Sequence, residues 1–95
     1  MSDAISPQRR HVIYEGMVQG VGFRYTARRI ASRLPVTGFV RNVADGQVEL
    51  VVEGMPPELD RFLEAIQDQM GDYIARTQVS AAPAIGEFRG FDIRF

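Results

Sequence analysis

The residues Gly16-Met17-Val18-Gln19-Gly20-Val21-Gly22-Phe23-Arg24 mark the point where a strand pattern gives way to a helix pattern. Before this point, from His11 to Val18, apolar side chains alternate as they do in a half-buried strand. After it, from Phe23 to Leu34, apolar residues recur at helical spacing, and Pro35 is expected to end the helix. The pattern therefore predicts a strand, a glycine-containing loop and a helix in direct succession.

The middle of the chain predicts a hairpin followed by a second helix. Two β-rich runs, Val36 to Asn42 and Gln47 to Glu53, flank an Asp45-Gly46 pair that is typical of a tight turn. A second amphipathic helical pattern starts at Pro56 and is expected to end at Gly71. These elements extend the predicted order to strand, helix, strand, strand, helix.

The C-terminal part predicts further strands around residues 75–79 and 88–95. The complete order predicts an α+β fold, a ferredoxin-like βαββαβ sandwich with an antiparallel sheet and two helices on one face, with room for an extra short C-terminal strand. Residues 1–8 are expected to form a flexible tail, and residues 9–95 one domain.

Composition narrows the classes of function. The 95 residues carry a net charge of −1, so the bulk positive field of a nucleic-acid binder is absent. The chain has no Lys and no Cys, which excludes Schiff-base chemistry, a P-loop lysine, disulfides and thiolate nucleophiles. With His11 as the single histidine, no histidine metal cluster is expected, and a surface position is favoured for it. No signal peptide or membrane span is predicted, so we expect a cytoplasmic protein.

The glycine-containing loop has the composition of an anion-binding site. Gly20 and Gly22 allow a tight turn that directs several backbone N–H groups to one point, and the first turn of the following helix adds unpaired donors. Arg24 would add a forked cation suited to phosphate or carboxylate oxygens. Two simpler interpretations remain: the glycines can serve chain reversal alone, and Arg24 can be a solvated helix residue like Arg28.

Asn42, at the end of the second predicted strand, is a second polar candidate. Its side chain can approach the loop only if the first two strands run in the same direction, which the sequence leaves open. An amide could hold a water molecule through one acceptor and two donors, although it is no strong base. Asn42 could equally make local hydrogen bonds at the end of the hairpin.

Two segments in this order resemble the signatures of the acylphosphatase family. The first is the loop itself, Gly16 to Arg24. The second is Gly38-Phe39-Val40-Arg41-Asn42-Val43-Ala44-Asp45-Gly46-Gln47-Val48, which is similar to the family's Gly-aromatic-Val-basic-Asn pattern followed by Gly-x-Val. The resemblance covers residues 10–70 well and the C-terminal residues more loosely.

The resemblance implies hydrolysis of the carboxyl–phosphate anhydride of a small acyl phosphate, without cofactor or metal. It implies that Asn42 orients the attacking water and that Arg24 binds the phosphoryl oxygens. The backbone N–H groups implied to assist are those of Gln19, Gly20, Val21, Gly22 and Phe23. A small-molecule substrate, no nucleic-acid or membrane partner, and a monomer are expected.

Two other classes of protein share parts of this pattern. An RNA-recognition domain has the same element order, but it needs exposed aromatic residues on central strands, and the run Gln47 to Glu53 has none. A regulatory module that binds phosphate or carbamoyl phosphate without turnover is the stronger alternative. Turnover alone would distinguish that module from an enzyme.

Overall fold

A computed structural model describes residues 6–95 of the chain. The elements in this part are β1 (Gln8–Gly16), α1 (Phe23–Ala31), β2 (Thr37–Asn42), β3 (Val48–Gly54), α2 (Pro56–Met70), β4 (Ile74–Pro83) and β5 (Phe91–Arg94). The first five residues of the predicted tail lie outside the described residues. Gln8, the last residue of that predicted tail, is the first residue of β1.

The strands form one sheet in the order β4-β1-β3-β2-β5. The four strands β1 to β4 pair antiparallel, which is the ferredoxin-like arrangement predicted from the sequence. The extra C-terminal strand is present as β5, and it pairs parallel to β2, so the complete sheet is mixed. The segment between β4 and β5 sets this direction. Residues 84–90 lead from the end of β4, at one edge of the sheet, to the other edge, where β5 begins with Phe91 opposite Gly38 of β2.

The core lies between one face of the sheet and the two helices. Alternate residues of the strands, among them Val12, Tyr14 and Leu50, are buried on this face. Phe62 of α2 is fully buried, and its ring centroid lies 5.5 Å from that of Phe91 on β5. Burying each large apolar side chain contributes about 1.5–3 kcal/mol, so this layer supplies most of the stabilisation.

The ends of three elements show how the structure compares with the boundaries predicted from the sequence. α1 ends at Ala31 and not at Leu34, since the chain turns before Pro35. α2 ends at Met70, as expected, but Gly71 has a right-handed φ of −56° and begins a single 3-10 turn. β4 extends to Pro83 because it pairs with β1 along the whole length of that strand.

The opposite face of the sheet carries buried or half-buried charge pairs in place of a second helical layer. Glu49 hydrogen-bonds His11 at 2.7 Å and Arg41 at 2.6 Å. Burial raises the pKa of Glu49, but these hydrogen bonds outweigh burial and the net pKa is below its ordinary value. Phe39 lies beside this cluster, and the guanidinium carbon of Arg94 is 3.8 Å from the centre of its ring. No helix within residues 6–95 is long and apolar enough to cross a membrane.

Candidate active site

The loop of residues 17–22 is anchored where it leaves β1. Val18 is fully buried in the core, although it lies two residues beyond the end of the strand. The backbone N–H of Met17 donates a 2.9 Å hydrogen bond to the carbonyl of Tyr73, at the entry to β4. The start of the loop is therefore held by the core on one side and by an edge strand on the other.

Two glycines give the loop its shape. Gly20 has a φ of 79° and Gly22 a φ of 80°, in the left-handed region that favours glycine. Apart from the adjoining residues, no atom in the described part of the chain lies within 4 Å of the place where a side-chain carbon would stand at either glycine, so backbone conformation and not crowding accounts for the glycines. Left-handed residues in such a loop allow successive N–H groups to point into one concavity, which is a geometry that binds anions.

The N-terminus of α1 adds further positive charge. Gly22 caps the helix, and its carbonyl accepts the first helical hydrogen bond from Thr26 at 2.9 Å. The N–H groups of the first helical turn have no partner within the helix, and this turn contains no acidic residue. It contains Arg24 instead, a cation at the positive end of the helix dipole, where a cation is unfavourable without an anion nearby.

Asn42 is brought to this loop by the directions of the strands. β1 and β2 are both antiparallel to β3, so they run in the same direction and their last residues lie at the same end of the sheet. This arrangement is the condition that the sequence left open. Asn42, the last residue of β2, therefore faces the loop that follows β1.

The predicted residues largely surround one small cavity of about 80 Å³. Its lining consists of Val18, Gly20, Gly22, Phe23, Arg24, Tyr25 and Asn42. Pockets for drug-sized ligands measure roughly 300–1,000 Å³, so this one suits a group of a few heavy atoms. Neither Gln19 nor Val21 lines it: Val21 packs partly buried against the core. The described part of the chain contributes no arginine other than Arg24 to this lining.

The side chain of Gln19 has a role that the sequence did not reveal. Its amide nitrogen donates to the carbonyl of Val43 at 2.9 Å and to that of Gln47 at 2.8 Å. Both carbonyls belong to the turn between β2 and β3, directly after Asn42. Gln19 therefore ties the glycine loop to the hairpin that carries Asn42.

Two aromatic residues near the cavity were also missed. Tyr25 lines the cavity and is 51% exposed, and the guanidinium of Arg28 lies 5.3 Å from its ring centre. Phe95 follows β5, which is parallel to β2 and ends at the same end of the sheet. The ring centre of Phe95 lies 4.8 Å from the guanidinium carbon of Arg24. The place of Tyr25 follows from its position directly after Arg24 in the first turn of α1. No local pattern indicates the approach of Phe95, since it depends on where a distant strand ends.

Larger cavities lie at the opposite end of the sheet. One of about 580 Å³ is lined mainly by apolar residues, including Pro35, Met55 and Ile85. The charged side chain that it contains, Glu53, is already bonded to Arg9 and to two backbone N–H groups. Among the described residues that line this cavity, the donors that converge are therefore already taken by Glu53.

Comparison with known proteins gives consistent matches. The family model described as Acylphosphatase matches residues 10–93. A protein of Aeropyrum pernix named acylphosphatase is 39% identical over 89 residues, which cover 92% of this chain and 88% of that protein.

Solved structures give the same result for the fold. The crystal structure of acylphosphatase from Bacillus subtilis superimposes with a TM-score of 0.85 at 30% identity, covering 93% of this chain and 99% of that chain. The crystal structure of full-length HypF, in a phosphate- and nucleotide-bound form, superimposes with a TM-score of 0.82 at 26% identity. The match covers all of this chain and 13% of that one.

Proposed function

This chain belongs to the acylphosphatase family, and from that premise we propose that Arg24, Asn42 and the glycine loop hydrolyse the carboxyl–phosphate anhydride of small acyl phosphates. One observation carries the assignment of residues. Arg24, Asn42 and the two left-handed glycines line a single cavity with room for little more than a phosphoryl group.

In the proposed reaction the phosphoryl group sits in this cavity. Its oxygens accept hydrogen bonds from the guanidinium of Arg24 and from the backbone N–H groups around Gly20 and Gly22. These donors are preorganised, because the loop is anchored by Val18 and by Met17. Charge that spreads over the equatorial oxygens in the transition state is then stabilised without rearrangement of the site.

Asn42 supplies position and not basicity. Its amide holds a water molecule so that the oxygen faces phosphorus opposite the acyl oxygen. The water oxygen forms a bond to phosphorus while the bond between phosphorus and the acyl oxygen breaks. The products are a carboxylate, inorganic phosphate and a proton released to solvent. A carboxylate is a good leaving group, so no general acid is required.

Gln19 acts as a positioning residue in this scheme. Its two hydrogen bonds to the β2–β3 turn set the distance between the phosphate-binding loop and Asn42. A water held by Asn42 can attack in line only if that distance is maintained.

A small molecule remains the proposed partner, with a monomer as the working unit. The aromatic residue on the open face of β2, Phe39, is 8% exposed beneath Arg94, which argues against base stacking on that strand.

A module that binds phosphate without turnover is the competing proposal. The similarity to 13% of full-length HypF supports it, because a similar unit is one part of a larger protein there. Such a module would bind phosphate through the same loop. Only turnover separates it from an enzyme.

The test is hydrolysis of benzoyl phosphate, followed by ultraviolet absorbance in the presence of EDTA. We expect rapid turnover by the wild type and losses of at least about 10²-fold in Arg24→Ala and Asn42→Ala. Arg89→Ala and Gln78→Ala, exposed residues away from the cavity, are matched controls with expected wild-type rates. A folded wild type without turnover would favour the binding module, and active Arg24→Ala or Asn42→Ala would overturn the assigned roles.

A further inference from the structure

A second cavity, of about 220 Å³, lies between the exposed flanks of the two helices. Its lining consists of Arg29, Ile30, Arg33, Leu34, Arg61, Ala65 and Gln69. It shares no lining residue with the cavity around Arg24. Arg29 lies five residues after Arg24, which is about 7.5 Å further along the helix axis.

Three arginines line this cavity, and the described residues contribute no carboxylate to its lining. Arg29 hydrogen-bonds the neutral side chain of Gln69 at 3.2 Å, and Arg33 has no carboxylate partner among the described residues. Arg61 alone is paired, with Glu58 of its own helix at 3.3 Å. The cluster therefore has an excess of positive charge.

Three arginines outside the cleft show what close pairing with a carboxylate looks like in this protein. Arg9, Arg10 and Arg41 each lie within 2.8 Å of a carboxylate. Arg29 and Arg33 instead line one cleft together: Arg29 lies in the last turn of α1, and Arg33 lies in the turn that follows the end of the helix at Ala31. Two like charges placed side by side repel each other. An anion placed between them would relieve that repulsion.

The floor of the cavity is apolar. Ile30 is 7% exposed, and Leu34 and Ala65 are half-buried beside it. An inorganic anion would gain nothing from these groups, whereas an anion with a hydrocarbon body would bury apolar surface there. The volume is below the roughly 300–1,000 Å³ of drug-sized pockets, so the ligand must be small.

From this combination we infer that the cleft between α1 and α2 is a binding site for a small monocarboxylate with an apolar body. The carboxylate accepts hydrogen bonds from the guanidinium groups of Arg29 and Arg33, with Arg61 adding charge. The hydrocarbon part lies on Ile30, Leu34 and Ala65. This site is separate from the proposed catalytic cavity and does not depend on its chemistry.

The test is titration of the ¹⁵N-labelled protein with sodium octanoate below its micelle concentration. We expect saturable shifts of the backbone amide signals of residues 29–34 and 61–69. The double variant Arg29→Gln/Arg33→Gln should weaken binding about tenfold or more, since two charge-assisted partners are lost. Glutamine is a good helix former, and the spectrum itself reports whether the variant is folded.

Three comparisons make the result decisive. Arg89→Gln, an exposed arginine outside the cleft, should bind octanoate like the wild type, and Arg24→Ala should also retain binding. Octanol, which has the same chain without the charge, should bind much more weakly. Absence of saturation, equal affinity for octanol, equal weakening by Arg89→Gln, or shifts confined to residues 17–25 would each overturn the inference.

Discussion

Replacing Gln19 by alanine isolates the connection between the glycine loop and the hairpin. The substitution removes the hydrogen bonds to the carbonyls of Val43 and Gln47, at 2.9 and 2.8 Å, and leaves the loop backbone in place. Each neutral hydrogen bond contributes a net 0.5–1.5 kcal/mol. Because Gln19 is exposed and water can replace it, we expect the lower end of this range, a total loss of about 1 kcal/mol in unfolding free energy.

The effect on catalysis should exceed the effect on stability. Without this connection the loop and Asn42 are free to move relative to each other, and a displacement of about 1 Å in a catalytic constellation can lower the rate about 10²-fold. We expect kcat for benzoyl phosphate to fall about 10- to 100-fold. KM should rise less, because in the proposed mechanism the phosphate contacts come from Arg24 and the loop backbone.

Steady-state kinetics and urea unfolding on the same preparations measure both effects. Gln78→Ala is the matched control, since Gln78 lies on the edge strand β4 and the substitution removes one exposed hydrogen bond of 3.3 Å to Glu15 on β1. Its kcat should equal that of the wild type. A wild-type kcat for Gln19→Ala, or an equal loss in the control, would refute a positioning role for Gln19.

Three further substitutions test the fold and the loop. Gly22→Ala forces an alanine to a φ of 80°, so a stability loss of about 1 kcal/mol and a weaker affinity for inorganic phosphate are expected; calorimetric titration that finds unchanged affinity would contradict this. Phe62→Ala should lower the unfolding free energy by about 3–5 kcal/mol, and a loss near zero in urea unfolding would show that the core is wrongly placed. Glu53→Gln should cost about 2 kcal/mol or more at neutral pH, because the buried carboxylate accepts hydrogen bonds from Arg9 and from the backbone of residues 85–86. Burial raises the pKa of Glu53, but those hydrogen bonds lower it by more, so the net pKa is below its ordinary value of 4.5. The stabilisation by the ionised carboxylate is therefore complete above the unfolded-state pKa and is lost as pH falls through the folded-state pKa. The difference between wild type and Glu53→Gln should therefore disappear in acid, and a difference that persists at low pH would contradict the ionised hydrogen-bond network.

Local patterns predict much of this fold because β1, α1 and α2 each bury one face. The alternation in β1 and the helical spacing in α1 and α2 identify the residues that reach the core, including Tyr14 and Phe62. Strand ends are less predictable from local pattern, because pairing sets them: β4 runs to Pro83 only because β1 provides partners along its whole length. The parallel direction of β5 likewise depends on how residues 84–90 cross the sheet.

The candidate site likewise combines residues that the local sequence indicates with residues that only the tertiary structure brings together. Gly20, Gly22 and Arg24 could be selected from the sequence, since a loop–helix junction creates an anion site through backbone geometry. The position of Asn42 beside the loop could not be predicted without the relative direction of β1 and β2, which is known only from the strand pairing. The side-chain bonds of Gln19 and the approach of Phe95 to Arg24 join segments far apart in the chain, so no spacing within the sequence could indicate them.

The most direct measurement compares phosphate binding with turnover in Asn42→Ala and Arg24→Ala. Calorimetric titration with inorganic phosphate gives the affinity, and benzoyl phosphate hydrolysis gives kcat for the same samples. We predict that Asn42→Ala binds phosphate within a few-fold of the wild type but loses at least about 10² in kcat, while Arg24→Ala loses both. If Asn42→Ala lost phosphate affinity and kept its kcat, or if Arg24→Ala bound phosphate normally, the separate roles of water positioning and phosphate binding would be contradicted.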